Sequence, residues 1–173
     1  GLGLPAPTAK GVNHGRSSPA LSQADQPSSL ATRKIAVLVS DHTDAEALYP
    51  VVQELENGKA ICDVIAPHEG MAGPLSVDKQ VSAASSVLYD AVLCTGGAEL
   101  AGDGYAVQFV REAFKHGKAV GVLPDGDALL QAAALPGRQG VVEASAEGDF
   151  VQRFVDAVVR HRHYDRDVES FPA

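Results

Sequence analysis

Aromatic and cysteine residues are scarce in this sequence, and tryptophan is absent. Only 5% of the 173 residues are aromatic, so a core must be built from Val, Leu, Ile and Ala. Such a core suits helices packed on a parallel sheet. Two cysteines do not make a disulfide framework. The apolar runs are strand-sized and fall short of the about 18 residues that a membrane span needs, so no membrane segment is expected.

Positive charge is also scarce. The sequence has 14 Lys and Arg residues against 22 Asp and Glu residues, a formal net charge of −8 at pH 7. Nucleic acids and anionic membranes bind basic surfaces, so we expect neither as a partner. No charged segment followed by an apolar one opens the sequence, which indicates no signal peptide and a cytoplasmic location. Because the first residue is Gly1 and not Met, we interpret the sequence as a fragment or processed chain.

Residues 1–32 differ in composition from the rest of the chain. Prolines alternate with Gly, Ser and Asn, and no helical or strand period persists. A segment of this kind cannot bury enough apolar surface to offset the entropy lost on ordering. We therefore predict an extended connector over residues 1–32 and a folded domain over residues 33–173.

The domain alternates short apolar runs with helical stretches. The predicted strands cover residues 34–40, 60–66, 90–95, 119–123 and 140–143, and the predicted helices cover residues 44–56, 105–116 and 125–134 and a last segment capped by Asp149. Residues 67–89 are interpreted as a loop, with a short hairpin as the alternative. This alternation is typical of a doubly wound parallel sheet with helices on both faces. Right-handed crossovers favour strand order 2-1-3-4-5, a flavodoxin-like α/β fold.

The site of an open α/β sheet lies at the C-terminal ends of its strands. Here that rim comprises residues 41–44, 95–99 and 124–127, which are rich in Asp and Glu. A flavin or nucleotide needs N–H groups that hold phosphate, and an acidic rim repels it. The rim also lacks the Gly turn of a loop that binds a hard cation. We expect neither ligand class.

Cys94 lies near the C-terminal end of the third predicted strand, where a nucleophile could be presented, with His42 or His68 as a candidate base. No nucleophile-elbow pattern surrounds it, and a buried cysteine usually acts as a small apolar side chain. In the predicted strand order Cys62 lies two strands away, about 9–10 Å, beyond the disulfide limit of about 7 Å. We predict two free thiols.

A basic, histidine-rich segment follows the last predicted helix. It contains Arg160, His161, Arg162, His163 and Arg166. We interpret it as positive charge that complements the dipole of a helix C-terminus. A His-x-His pair alone supplies too few ligands for zinc.

One resemblance is to the intracellular-protease and glutamine-amidotransferase-like superfamily. It is carried by Glu46 and Pro50 after the first strand, by residues 89–97, and by residues 117–123. The resemblance implies a Cys-His-Gly elbow after the fourth strand, with the Cys as nucleophile, but this chain has Pro124-Asp-Gly126 there. No catalytic residue is then expected. The degenerate pocket that remains consists of Glu46, Gly96, Gly97, Pro124 and Asp125.

A second resemblance covers nearly the whole chain and is to the C-terminal region of large-subunit haem catalases. The connector of that family is similar to Leu2-Gly-Leu-Pro5, Asn13-His14 and Ser18-Pro-Ala-Leu-Ser22. The first strand of its appended domain is similar to Arg33-Lys-Ile-Ala-Val-Leu38, and its C-terminus to His161-Arg162 and Phe171-Pro-Ala173. Connector, domain and tail occur in the same order here.

This resemblance implies a parent that dismutates hydrogen peroxide to water and dioxygen at a haem, as a homotetramer. The haem and its ligands belong to the N-terminal barrel domain of the parent, and the spacing of Arg160 and Tyr164 is interpreted as a coincidental likeness to a haem-ligand motif. This fragment is expected to bind no cofactor and to act as an accessory domain. It would stabilise the oligomer, shape access to the haem, or hold unfolded client proteins. The alternative is an independent thiol enzyme or redox sensor that uses Cys94.

Overall fold

The computed structural model describes residues 29–145 and 149–166, so most of the predicted connector and the Phe171-Pro-Ala173 tail lie outside the described residues. Within these residues, six strands form one parallel sheet. They are β1 (Lys34–Leu38), β2 (Ile61–Ala66), β5 (Lys79–Gln80), β6 (Ala91–Cys94), β7 (Ala119–Val122) and β8 (Val141–Glu143). A separate antiparallel hairpin joins β3 (Met71–Ala72) to β4 (Leu75–Ser76).

The strand order is β5-β2-β1-β6-β7-β8. The five long strands therefore follow the predicted order 2-1-3-4-5, and the predicted flavodoxin-like class is confirmed. β5 is an additional edge strand next to β2, in the stretch interpreted as loop or hairpin. The sequence gives no signal for it because a two-residue strand of Lys79 and Gln80 has no apolar run.

Helices cover both faces of the sheet. They are α1 (Ala45–Asn57), α2 (Gly97–Gly102), α3 (Gly104–Lys115), α4 (Asp127–Ala133) and α5 (Phe150–Val159). The apolar residues of α1 and α5 pack in one cluster, and those of α2, α3 and α4 pack in a second cluster on the opposite face. None of the described helices is both long and apolar enough to cross a membrane.

The strands divide their side chains between these two clusters. Ile35 and Val37 face α1 and α5, whereas Ala36 and Leu38 face the other layer, as expected from the two-residue period of a strand. The core of the sheet consists of buried strand residues, among them Ile35, Val37, Leu38, Val92, Leu93, Val120 and Val122. Val64 is only partly buried, because the β5 strand that flanks β2 is two residues long.

Helix boundaries follow local capping groups. Asp44 Oδ1 accepts a hydrogen bond from Ala47 N at 3.1 Å, and Asp149 Oδ1 accepts one from Gln152 N at 3.1 Å. Side chains of this kind satisfy N–H groups that have no partner in the first helical turn. The predicted cap at Asp149 is thus confirmed. α2 was not predicted as a helix, since its sequence is short and contains glycine at both ends.

The basic segment after α5 does not act only on the dipole of its own helix, as the sequence analysis expected. α5 ends at Val159, and Arg166 reaches a different helix: its Nη1 donates to Phe114 O, in the last turn of α3, at 2.5 Å. Arg166 Nη2 donates to Lys118 O at 2.8 Å, and Nε donates to Gln139 O at 2.6 Å. Its guanidinium also stacks over the Phe114 ring at 4.0 Å. The buried Arg166 therefore binds three separate segments rather than complementing its own helix.

His163 is buried in the same segment. Its Nε2 donates to Ala157 O at 3.1 Å, and its backbone N donates to Gly117 O at 2.7 Å. Burial lowers the pKa of His163 below its usual value of 6.5, and the positive charges of Arg166 and Arg160 lower it further. The folded domain thus holds this imidazole neutral at pH values where the unfolded chain protonates it.

We therefore expect the free energy of unfolding to fall as the pH drops below about 6.5, because the unfolded chain then binds a proton that the folded chain does not. The variant His163→Gln lacks this pH-dependent contribution of His163 to the free energy of unfolding. The difference in its stability between pH 8 and pH 5.5 is therefore expected to be smaller than in the wild type. Urea unfolding at a series of pH values measures both curves. Parallel curves for the two proteins would contradict the prediction.

Candidate functional site

The rim at the C-terminal ends of the strands is organised around the carboxylate of Asp125. Its Oδ2 accepts hydrogen bonds from Thr95 Oγ1 at 2.7 Å and from Gly96 N at 3.1 Å. A third donor is Asp44 N, at 3.2 Å. One carboxylate oxygen thus joins the loop after β1, the loop after β6 and the turn after β7. We call this arrangement the Asp125 latch.

The loop after β6 depends on glycine at one position. Gly96 has φ of 81°, in the left-handed region, and a Cβ there would lie 2.6 Å from Leu100 Cδ1 and 3.0 Å from Ser40 N. Both the backbone conformation and the space therefore require glycine. Gly96 precedes the first residue of α2, so the chain turns directly from β6 into this helix.

Hydroxyl groups fill the floor of the rim below the latch. Ser40 Oγ donates to Gly96 O at 2.8 Å, and Ser40 N donates to Thr43 Oγ1 at 2.9 Å. The hydroxyls of Thr43 and Thr95 are 3.1 Å apart. All three of these side chains belong to buried residues. The polar groups of the floor therefore bond to one another and to the loop backbone.

Pro124 occupies the position where the resemblance to the intracellular-protease superfamily implies a nucleophile. It is exposed and is the first residue of a 3-10 turn that covers Pro124–Gly126. The fixed φ of proline suits a first helical position, although α4 itself begins only at Asp127. The next turn residue, Gly126, lies directly against β6: a Cβ there would be 2.3 Å from Cys94 O. Neither Pro124 nor Gly126 supplies a reactive side chain.

Four of the five residues of the predicted pocket lie around the Asp125 latch. Gly96 and Asp125 are hydrogen-bonded, Pro124 precedes Asp125, and a Cβ on Gly97 would lie 3.7 Å from Asp125 O. Glu46 lies in the first turn of α1, two residues after Asp44, and is exposed. Its position there favours the helix N-terminus electrostatically.

Two histidines pair with carboxylates on the outer rim. His42 Nδ1 is 3.2 Å from Glu99 Oε2, and His68 Nε2 is 3.3 Å from Asp41 Oδ1. Gly73 N, at the turn of the hairpin, also donates to Asp41 Oδ1 at 3.2 Å. Among residues 29–145 and 149–166, no group of three or more His, Cys, Asp and Glu side chains could hold a metal ion.

Both cysteines are free thiols, as predicted. Cys94 is fully buried in the cluster under α3, and this burial raises the pKa of its thiol to about 12. Cys62 packs on the opposite face of the sheet, with β1 between the two strands. Burial, together with the charges of Glu56 and Asp63, raises the pKa of Cys62 to about 12. With pKa values of about 12 both thiols are protonated at neutral pH, whereas the reactive form of a cysteine is the thiolate.

A polar cluster at the β2 edge gave no signal in the sequence. Lys79 Nζ contacts Asp63 Oδ2, and Tyr89 OH donates to the same oxygen at 2.9 Å. Burial opposes ionisation of Asp63, but the hydrogen bonds from Lys79 and Tyr89 outweigh it and lower its pKa. Burial raises the pKa of Tyr89. The cluster ties β2, β5 and the segment before β6 together, and residues this far apart in sequence share no local pattern.

The Asp125 latch leads to a prediction about stability. Asp125→Ala leaves the Gly96 N–H without its acceptor and removes the shorter of the two hydrogen bonds of the buried Thr95 hydroxyl, so we expect a loss of about 2–4 kcal/mol in the free energy of unfolding. Asp127→Ala is the matched control: Asp127 is exposed in the first turn of α4, and its loss is expected to cost about 0.3–1 kcal/mol. Urea unfolding of both variants measures the difference. Equal small losses would show that the latch does not hold the rim.

The fold and this rim define a class of protein: a flavodoxin-like α/β domain with Pro124 and Asp125 in the turn after β7. Residues 31–168 match the family model described as the C-terminal domain found in long catalases. The chain belongs to this family.

Known relatives agree with this family. Catalase HPII of Mycobacterium avium is 36% identical over 199 residues, which cover 99% of this chain and 28% of that protein. Catalase-2 of Bacillus subtilis strain 168 is 36% identical over 97% of this chain and 26% of its own length. Catalase HPII of Pseudomonas aeruginosa is 32% identical over 98% of this chain and 25% of its own length. The chain thus spans about a quarter of the length of the curated relatives it matches.

Proposed function

We propose that this chain is the non-catalytic C-terminal accessory domain of a long catalase that dismutates hydrogen peroxide to water and dioxygen. The Asp125 latch carries the proposal. The carboxylate at the elbow position accepts three hydrogen bonds from the rim, so it serves to close the rim and not to assist a reaction. The proposal keeps the predicted division into a connector over residues 1–32 and a domain over residues 33–173, and the expected cytoplasmic location.

The tyrosines of this chain do not fit a haem. Catalase haem iron takes a Tyr ligand from a buried site. Tyr164 is 79% exposed, and the neighbouring Asp165 pairs with Arg160 at 3.7 Å. Tyr89 is buried, but its hydroxyl is bonded to Asp63 and Lys79, and Tyr49 and Tyr105 are exposed. In the proposal the haem belongs to the body that precedes this domain.

The domain contributes stability in this proposal. A folded unit that packs on a larger body adds buried surface that exists only in the assembled state, and this shifts the equilibrium away from dissociation and unfolding. The homo-oligomer expected for the parent, a tetramer, would gain from each copy of the domain. A domain with a rim closed by the Asp125 latch can also restrict access to the haem without reacting itself.

A fusion protein tests the proposal. We expect the segment of Bacillus subtilis Catalase-2 that precedes the matched region, joined to this chain, to dismutate peroxide with the same turnover per haem as that segment alone, but to lose activity at a higher temperature. The isolated 173-residue chain is expected to show no Soret absorption and no dismutation. Stoichiometric haem uptake with peroxide turnover by the isolated chain would contradict the proposal, as would equal thermal inactivation of both proteins.

Thiol labelling separates the proposal from the thiol-enzyme alternative. With both pKa values raised to about 12, we expect iodoacetamide to label Cys94 and Cys62 of the folded chain at least ten-fold more slowly at pH 7 than those of the chain unfolded in urea. Mass spectrometry of peptides follows each cysteine separately, and the unfolded sample is the control. Rapid labelling of Cys94 in the folded chain would favour an enzyme or redox sensor.

A further inference from the structure

A hydrogen bond of His161 joins the start of β1 to the segment that follows α5. His161 Nδ1 lies 2.7 Å from Arg33 Nη1, although 128 residues separate the two in the sequence. A guanidinium group has only N–H donors and stays protonated in proteins, so the nitrogen of His161 must be the acceptor. Nδ1 therefore carries no proton, and the imidazole in this structure is neutral.

A carboxylate lies beside this hydrogen bond. Asp90 Oδ1 is 3.6 Å from Arg33 Nη1 and 3.6 Å from His161 Nδ1. Its other oxygen, Oδ2, accepts a hydrogen bond from Lys34 N at 3.0 Å, which fixes the carboxylate at the start of β1. Asp90 is thus close both to the guanidinium that binds the neutral imidazole and to the N–H that a protonated imidazole would present.

Positive charges face the ring from three segments of the chain. Arg162 Nη1 is 3.3 Å from His161 Nδ1 and donates to His161 O at 2.8 Å. Arg33 precedes β1, and the buried Lys118 precedes β7. Burial lowers the pKa of His161 below its usual value of 6.5, and the charges of Arg162, Arg33 and Lys118 lower it further, whereas the charge of Asp90 opposes them.

The backbone holds His161 in place while its ring stays accessible. Its φ is 68°, in the left-handed region that few residues other than glycine adopt. Its N donates to Val158 O at 3.0 Å, in the last turn of α5. The side chain is 31% exposed. A proton from solvent therefore reaches the ring without unfolding of the domain.

Arg33 belongs to the turn through which the chain enters the sheet. Thr32 N donates to Lys59 O at 2.9 Å, and Ile61 N donates to Arg33 O at 2.7 Å. These two hydrogen bonds hold the backbone of the turn against the start of β2. The side chain of Arg33 links the same turn to the segment after α5. A change in the protonation of His161 is therefore felt at the entry to β1.

We propose that the hydrogen bond between Arg33 and His161 is a pH-sensitive link, closed at neutral pH and opened when the imidazole takes up a proton. The proton occupies the nitrogen that accepts from Arg33, and it places a positive charge between two guanidinium groups. Arg33 and the imidazolium then compete for Asp90, so the entry turn loses its attachment to the segment after α5. The link goes beyond the proposed function, because it needs only residues of this domain.

An NMR titration of the folded 173-residue chain tests the link. The ring signals of His161 report its protonation between about pH 8 and about pH 5, and the guanidinium signals of Arg33 report the hydrogen bond. In the wild type we expect both sets of signals to change with one shared midpoint, below 6.5. Arg33 signals that do not follow the titration of His161 would overturn the proposal.

Two variants separate the hydrogen bond from the positive charge of the segment. Arg33→Met removes the donor to the neutral ring, so the pKa of His161 is expected to rise by about 0.5 or more. Arg160→Met is the matched control: Arg160 directly precedes His161, but its side chain is 60% exposed and pairs with Asp165 at 3.7 Å. The pKa of His161 is expected to change by about 0.2 or less in this variant. Equal changes in both variants would overturn the link.

Amide hydrogen exchange measures the release of the entry turn. After correction for the intrinsic rates, we expect the protection of the Thr32 and Ile61 N–H groups in the wild type to fall about three-fold or more between about pH 8 and about pH 5. In Arg33→Met the link is absent, so the lower protection is expected at both pH values. The same fall in protection in both proteins would show that the link does not hold the turn and would overturn the proposal.

Discussion

The variant Gly126→Ala is expected to lose about 3 kcal/mol or more in the free energy of unfolding, measured by urea denaturation. An added Cβ would lie 2.3 Å from Cys94 O and 2.7 Å from Cys94 C. Both are backbone atoms of β6, in the middle of the sheet, so no flexible side chain can move to relieve the contact. The turn that carries Asp125 must then shift, which also lengthens the hydrogen bonds of the Asp125 latch.

Backbone conformation does not explain this loss. Gly126 has φ of −87° and ψ of −7°, which alanine adopts without strain. Gly104→Ala is the control: Gly104 is the first residue of α3, and a Cβ there would meet no atom within 4 Å. Gly104→Ala is expected to leave stability unchanged or to raise it by about 0.4–1 kcal/mol. A Gly126→Ala variant as stable as the wild type would show that the turn is not pressed against β6.

The strands and the capped helices could be predicted from sequence because their signals are local. The apolar run of β1 and the caps at Asp44 and Asp149 each lie within a few residues of the element they define. β5 and α2 lack such signals. β5 is a strand only because β2 supplies its hydrogen bonds, and α2 forms where Gly96 turns the chain.

The candidate site could also be predicted only in part from the sequence. The residue types Pro124 and Asp125 already excluded a nucleophile and a His base, since this follows from side-chain chemistry. The hydrogen bonds of Asp125 could not be predicted, because their three donors lie 29, 30 and 81 residues away in the sequence. Glu46 was grouped with Asp125 by resemblance, and the structure leaves it exposed on α1.

Arg166 illustrates the largest gap between sequence and structure. A basic segment that follows a helix indicates complementation of that helix's dipole, and the local pattern supports no other interpretation. The guanidinium instead reaches Phe114 O, 52 residues earlier in the chain. Only the packing of the segment after α5 under α3 creates this contact, so sequence spacing carries no information about it.

The substitution Arg166→Met is expected to lower the free energy of unfolding by about 3–5 kcal/mol, a large part of the about 5–15 kcal/mol of a typical domain. Methionine keeps an apolar contact with the Phe114 ring but donates no hydrogen bond. The carbonyls of Lys118 and Gln139 then lose their charged donor, as does Phe114 O. Hydrogen bonds to a charged group contribute about 1.5–3 kcal/mol each, and their losses are not additive.

Two further variants distinguish the effect of the three hydrogen bonds of Arg166 from the effect of its positive charge. Arg166→Lys keeps the positive charge but cannot reach three carbonyls from one planar group, so an intermediate loss is expected. Arg160→Met removes a charge from the same segment, where Arg160 is exposed and pairs with Asp165 at 3.7 Å. An exposed ion pair contributes about 0–1 kcal/mol, so this control is expected to unfold almost as the wild type does. If Arg166→Met and Arg160→Met unfolded at the same urea concentration, positive charge alone would account for the segment. A larger loss for Arg166→Met follows only if its three hydrogen bonds hold the segment after α5 against α3.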